Sequence, residues 1–187
     1  VNSRVTDAEL KKLNAAGVRG VRIQFGLGNP VSAEEVMPLA RRIAAMGWHI
    51  QCNMPPEQLV QMESLLLSLP VPVIIDHLGR AVDTRGPQFV TVRKLLDSGH
   101  GWVKVSGAYL YGGGTAPHYE GASAAARAYI KAAPERCVWG SDWPHVHLDG
   151  RPMPDDGVLL NLLPGWAPDV ETRRRILVDN PAKLYGF

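Results

Sequence analysis

The sequence predicts an α/β chain that forms part of a (β/α)8 barrel, and three observations carry that reading. Short apolar strands alternate with amphipathic helices along the whole chain, which is the pattern of parallel βαβ units. No strand is followed by the G-x-G-x-x-G turn or phosphate loop that an open doubly wound sheet often carries, and Gly112-Gly113-Gly114 lacks that spacing. Polar residues fall instead at the C-terminal ends of several strands, at Arg22, Gln24, Asn53, Asp76, His77, Lys104, Ser106 and Asp142, where a barrel gathers its functional groups.

The elements follow in order. The first helix spans about 6–16, with Thr6 and Glu9 at capping-box spacing, Leu10 and Leu13 on one face and Gly17 as its stop. A strand over 20–25 leads to a second helix that opens at Ser32, has Glu35 three residues on, and ends at Gly47. Next come a strand over 48–53, a helix over about 56–67, a strand over 71–76 and a helix over about 87–97. A strand over 102–106 precedes the glycine-rich loop at 112–114 and an alanine-rich helix over about 120–133. The fifth strand covers 137–140, and a long loop leads to C-terminal helices, one near 169–178. Asn180-Pro181 has the look of an N-cap and first helical position of a last short helix.

A complete barrel takes about 250 residues. The 187 here predict a single domain holding the five C-terminal strands, β4–β8 of a barrel, with about three N-terminal strands missing. A start at Val1 rather than Met points the same way.

Apolar residues make up 45% and charged residues 20%, an ordinary balance for a globular chain. A net charge of +2 suggests neither a nucleic-acid nor a membrane partner, and a small-molecule substrate is the expected ligand. Arg173-Arg174-Arg175 reads as a solvated helix face. Cys52 and Cys137 lie in apolar strand-like runs, which predicts buried free thiols in a reducing, cytoplasmic compartment. No apolar run reaches the ~18 residues that span a bilayer, and no signal peptide is visible. The oligomeric state is left open.

Side chains alternate across a strand. Residues 73, 75 and 77 therefore share one face, as do 138, 140 and 142, which places His77 and Asp142 above small or apolar residues at a barrel mouth. A carboxylate and an imidazole at one pocket can divide proton transfer and substrate polarisation between them. Each residue also has a plainer reading. Asp142 could cap a helix or brace a loop, and His77 could be a satisfied core histidine. Asp76, on the opposite face from His77, reads as structural. Lys104 could reach solvent or pair with a carboxylate. Arg22 could bind an anion or anchor a loop. His145 and His147 have the spacing of metal ligands but form only one short pair, and His49, His100 and His118 read as structural or solvated.

Taken together, the segments 75–80, 102–107, 138–145, 153–157 and 177–181 resemble the amidohydrolase-related family, nearest its branch of 2-pyrone-4,6-dicarboxylate lactonases. The resemblance spans essentially the whole chain and implies a distorted (β/α)8 barrel. It implies that Asp142, ending the eighth strand, activates water and that His77, on the sixth, contacts the substrate carbonyl. Arg22, on the fourth strand, would bind a substrate carboxylate and Arg80 would help with anions. Asn53, Tyr109 and His145 join them as expected substrate contacts.

The departures bear on the substrate. Nothing matches the family's first-strand His-x-His pair, Gly28 stands where the pyrone lactonases have a second basic residue, and Gly107-Ala108-Tyr109-Leu110 stands where they have an arginine. A lactone with fewer charges than a dicarboxylate is the better expectation. Zinc-binding relatives use the first-strand pair, a later histidine and the aspartate. Only His77 and Asp142 match, short of the three or four ligands zinc takes, so no cofactor is assigned and zinc is expected only in a complete protein. A metal-dependent decarboxylase or hydratase on the same barrel and an inactive fragment are the alternatives to a lactone hydrolase.

Overall fold

A computed structural model describes residues 4–24, 32–110, 114–146, 148 and 150–187. Val1, Gly28, Gly112, Gly113 and His147, named above, lie outside the described residues, as does residue 25 at the end of the first expected strand. Five strands form one sheet: β1 (Gly20–Gln24), β2 (His49–Asn53), β3 (Val73–Ile75), β4 (Gly101–Val105) and β5 (Cys137–Trp139). Their spatial order is their sequence order, and every neighbouring pair is parallel. A doubly wound sheet reverses its order at a switch point. This sheet never reverses, which is the winding of a barrel segment, and it does not close.

The helices between strands are α1 (Asp7–Ala15), α2 (Ala33–Ala44), α3 (Pro56–Gln61), α4 (Glu63–Ser68), α5 (Pro87–Asp97) and α6 (Glu120–Ala132). Both capping boxes form: Glu9 N–H donates to Thr6 Oγ1 at 3.2 Å while Thr6 N–H donates to Glu9 at 2.8 Å, and Ser32 N–H donates to Glu35 at 2.8 Å. The single helix expected over 56–67 is two, broken at Met62.

The apolar face of the sheet and the helices make one core. Val21, Ile23, Ile50, Cys52, Val73, Ile75, Val103, Val105 and Cys137 meet Leu39 and Ile43 of α2, Leu59 of α3, Leu66 of α4, Val92 and Leu95 of α5 and Tyr129 of α6. The ring of Tyr129 stacks on Phe89 with centroids 4.6 Å apart. Cys52 and Cys137 are buried free thiols.

The chain ends in α7 (Asp156–Leu160), α8 (Leu163–Trp166), α9 (Val170–Arg174) and α10 (Asn180–Tyr185), the last two joined by a π-helical turn over Arg175–Asp179. Asn180 is therefore inside a continuous helical run, not at a cap as its sequence suggested. Pro181 has no N–H to give a carbonyl one turn back, and the wider turn is where the ladder absorbs that loss. The Asn180 amide instead donates to the carbonyls of Pro134 and Cys137 at 2.8 and 2.6 Å, which ties α10 to the start of β5. From there Leu184 and Tyr185 pack on Ile74, Trp102 and Val138, a second apolar cluster on the face of the sheet that the main helical layer leaves uncovered. Among the described residues no helix is long and apolar enough to cross a membrane.

Candidate active site

That inner face turns polar toward the C-terminal ends of the strands. Arg22 and Gln51 are register partners on β1 and β2. Asp76 and Lys104 stand two residues beyond the paired Ile74 and Trp102. Strand alternation thus puts Asp76 with Ile74 on the inner face and sends Val73 and Ile75 to the helices, the reverse of the parity expected above. Asp76 is the hub of the cluster: its carboxylate accepts from Arg22 Nε at 2.9 Å and Gln51 Nε2 at 3.0 Å, and Lys104 Nζ lies 3.3 Å from its other oxygen. Burial acts against its charge, but the Lys104, His77 and Arg22 charges and the Gln51 hydrogen bond hold the carboxyl below its ordinary range. The Asp76 side chain is 1% exposed and Arg22 40%, so the aspartate is fixed while the arginine still reaches the cavity.

His77 arrives by a different route. After β3 the chain makes a left-handed turn, with φ of 49° at His77, 57° at Leu78, 62° at Gly79 and 57° at Arg80. Each non-glycine residue held there costs roughly 1–2 kcal/mol, and such strain is characteristic of functional sites. Tyr129 Oη donates to the Leu78 carbonyl at 3.4 Å, and a Cβ on Gly79 would sit 2.7 Å from Val92, so the turn is pressed against α5 and α6. The turn brings His77 round to the inner face despite its parity. Its Nδ1 lies 3.0 Å from Ser106 Oγ and its Nε2 3.5 Å from Asp142 Oδ1. Burial lowers the affinity of the ring for a second proton and outweighs the opposing pull of Asp76 and Asp142.

Asp142 also sits in a left-handed conformation, at φ 69°, three residues past the end of β5. Tyr109 Oη donates to its Oδ2 at 2.8 Å. Arg22, Asp76, His77, Lys104, Ser106 and Asp142 line one cavity of about 340 Å³, which Tyr185 also borders. The other expected contacts are placed elsewhere. Arg80 Nη2 donates to Asn53 Oδ1 at 3.1 Å, and neither residue lines that cavity. Tyr109 lines a neighbouring cavity of about 500 Å³. The His145 side chain is 1% exposed, with Nδ1 against Tyr109 and Nε2 against Asp156.

Sequence reasoning placed Asp76, Lys104 and Ser106 at strand ends but gave them no role in the site, and it passed over Gln51. A signal was present: Gln51 stands between Ile50 and Cys52, and Lys104 between Val103 and Val105, each a polar residue flanked by apolar ones. Apolar neighbours on both sides mark the face that meets the helices. The metal question has a geometric answer for the described residues: no three His, Cys, Asp or Glu side chains converge to hold an ion. His77 and Asp142 alone do not fit a zinc ion.

Comparison with known proteins bears on the family and the fold. The amidohydrolase family model matches residues 2–187. The 4-sulfomuconolactone hydrolase of Rhizobium radiobacter is 38% identical over 97% of this chain and 63% of its own length. The 2-pyrone-4,6-dicarboxylate hydrolase of Comamonas testosteroni is 35% identical over 99% of this chain and 65% of its own. The chain thus spans less than two thirds of either relative. Among solved structures, a probable 2-pyrone-4,6-dicarboxylic acid hydrolase from Acinetobacter baumannii with citric acid bound superposes with a TM-score of 0.84 at 29% identity, covering all of this chain and 71% of that one. With its sequential parallel sheet, its polar cluster at the strand ends and a family match along nearly its whole length, the chain belongs to the amidohydrolase family.

Proposed function

We propose that the protein hydrolyses a lactone bearing an anionic group, with Asp142 as the base that takes a proton from water and His77 as the donor that polarises the lactone carbonyl. The observation that carries this reading is the approach of Asp142 Oδ1 and His77 Nε2, 3.5 Å apart, at a cavity that Arg22 and Lys104 also line. Burial disfavours a second proton on the His77 ring. In this reading the Ser106 hydroxyl, 3.0 Å away, donates to Nδ1, so that the ring hydrogen is on Nε2 and faces the gap toward Asp142. A carbonyl oxygen that takes this hydrogen is polarised as water, losing its proton to Asp142, attacks the carbon. The ring C–O bond then breaks, and Asp142 returns the proton to the leaving oxygen.

The substrate class follows from charge and from relatives. Arg22 and Lys104 stand against Asp76 and Asp142, so one substrate anion suits the site better than two. Arg22 spends Nε on Asp76, and its terminal nitrogens are the pair that suits a carboxylate. The names of the two hydrolase relatives support a lactone as the cleaved group.

The test is turnover of Asp142→Asn on a panel of neutral, monoanionic and dianionic lactones. Loss of the base is expected to lower kcat by about 10²–10⁴-fold on every member that the parent protein cleaves. Near-normal turnover removes Asp142 from the role.

A further inference from the structure

Through its second oxygen Asp142 begins a line of polar side chains that the hydrolysis scheme does not use. Oδ2 lies 2.8 Å from Tyr109 Oη, Tyr109 Oη 2.9 Å from His145 Nδ1, and His145 Nε2 3.0 Å from Asp156 Oδ1. The line runs from the cavity to the surface: the Asp142 side chain is 25% exposed, His145 1% and Asp156, in the first turn of α7, 46%. The turn that joins its first and third members is held by the His145 N–H, which donates to the Asp142 carbonyl at 2.9 Å, with both residues in left-handed conformations.

Counting hydrogens along this line limits its protonation. A phenol has one hydrogen. If Tyr109 gives it to Asp142, Oη must accept from His145 Nδ1–H, and the contact with Asp156 then needs a second ring proton or a proton on Asp156. If Tyr109 gives it to Nδ1, Asp142 must itself carry a proton to give to Oη, and Nε2–H serves Asp156. Every way of satisfying all three contacts holds the same number of protons, one more than two carboxylates and a neutral imidazole carry. Any arrangement without that proton turns two lone pairs toward each other at one of the three contacts, of which Tyr109–His145 is buried and the other two are half-buried.

We propose that Tyr109, His145 and Asp156 form a proton-holding chain that keeps Asp142 ionised, with the extra proton resting on His145 and linked to Asp142 through Tyr109. Among the described residues, the charged and titratable groups at the chain include Asp142, with His77 3.5 Å from its other oxygen, Asp156, and Arg151, which donates to the Tyr109 carbonyl at 2.7 Å. With the proton on His145, the ring donates at both nitrogens and lies next to one carboxylate directly and a second through the phenol. The transfer itself is balanced: Asp142–H gives its proton to Oη as Oη gives its own to Nδ1, leaving a carboxylate at one end and an imidazolium at the other. Tyr109, His145 and Asp156 are positioning residues, and this assignment rests on Asp142 being the base.

The test reads the proton directly, by nitrogen-15 NMR of labelled histidine at pH 7 in protein treated with a chelator, with His145→Gln identifying the resonances. In the parent protein both His145 nitrogens are expected to be protonated. The Asp142→Asn amide donates to Oη as a protonated aspartate would, so in that variant Tyr109 turns its hydrogen to Nδ1 and His145 becomes the neutral Nε2–H form. Tyr109→Phe cuts the link, and adding Asp142→Asn to it leaves the ring unchanged. A His145 that is neutral in the parent, or indifferent to Asp142→Asn when Tyr109 is present, overturns the proposal. Asp156→Asn gives a second reading that leaves the base in place. Removing that carboxylate is expected to move the acid limb of activity up by about one pH unit, and a limb that stays in place also overturns the proposal. The spectra need no lactone, so failure of the chain and failure of Asp142 as base are separate outcomes.

Discussion

On one face of the sheet β3 presents Val73 and Ile75 to a continuous apolar core, and on the other it presents Ile74 and then, as the strand ends, Asp76. The helix-covered face repeats one chemistry on all five strands. The inner face changes within two residues from the apolar cluster of Ile74, Trp102 and Val138 to an aspartate held by Arg22, Gln51 and Lys104. The first face is fixed by burial alone. The second is fixed by hydrogen bonds and by left-handed turns that only surrounding packing can hold. A change on the outer face should therefore be read in stability, and a change on the inner face in catalysis and in pH.

The largest stability effect expected from this contrast is on the outer face. Ile75 is 1% exposed within the core. Ile75→Ala is predicted to lower unfolding free energy by about 2–5 kcal/mol in urea titration, the range for removing a buried aliphatic chain and leaving a cavity. The lactone KM of the protein that remains folded should be unchanged. If KM rises as steeply as stability falls, the two faces are not independent and the contrast fails.

Much of the outer face was legible in the sequence and much of the inner face was not, for a physical reason. Helix starts at Thr6 and Ser32 and the positions of all five strands followed from capping pairs and apolar runs, because those features are local. His77 and Asp142 were singled out, and the structure sets them 3.5 Å apart at one cavity, but the parity argument behind His77 ran along the wrong face. Val73 and Ile75 point to the helices, and His77 joins the inner face only because the chain turns left-handed at that residue. No alternation rule anticipates such a turn. Asp76 was set aside by the same argument. The line from Asp142 to Asp156 draws on residues 109, 142, 145 and 156, and its closest contacts cross between segments that no spacing relates.

Acid should then reveal the inner face selectively. His49, on the same side of β2 as Gln51, is buried with its ring against Tyr185 at 5.5 Å, in space that a Cβ on Gly20 would fill. Its Nδ1 has no hydrogen-bond partner among the described residues. Burial, with Lys104 adding repulsion, lowers its pKa from 6.5 to about 4. The unfolded chain therefore binds this proton more readily than the folded one. The stabilising contribution is complete above pH 6.5 and is lost as pH falls from 6.5 toward 4, by up to about 3 kcal/mol. His77, also lowered by burial, adds a loss of the same sign. Urea midpoints at pH 7.5, 5.5 and 4.5 should fall steadily in the parent protein and less steeply in His49→Phe. Parallel slopes in the two proteins would mean that His49 is not held neutral by the fold.

The smallest effect is expected at Arg22, and it separates binding from scaffolding within the inner face. Arg22 is the more exposed of the two cations beside Asp76, at 40% against 20% for Lys104, with Asp76 itself at 1%. Lys104 remains beside Asp76 when Arg22 is removed, so the buried carboxylate keeps a cationic neighbour. Arg22→Gln should then cost little stability. It removes a guanidinium from the cavity lining, and a charged hydrogen-bond pair contributes about 1.5–3 kcal/mol. KM for a carboxylated lactone should rise roughly 10–100-fold on that basis, with kcat near the parent value, because the interaction is present in ground and transition states alike. KM for a neutral lactone of the same ring should not move. A neutral lactone affected as strongly as the charged one would reassign Arg22 from substrate contact to scaffold, and the exposed edge of the inner face would then belong with the buried one.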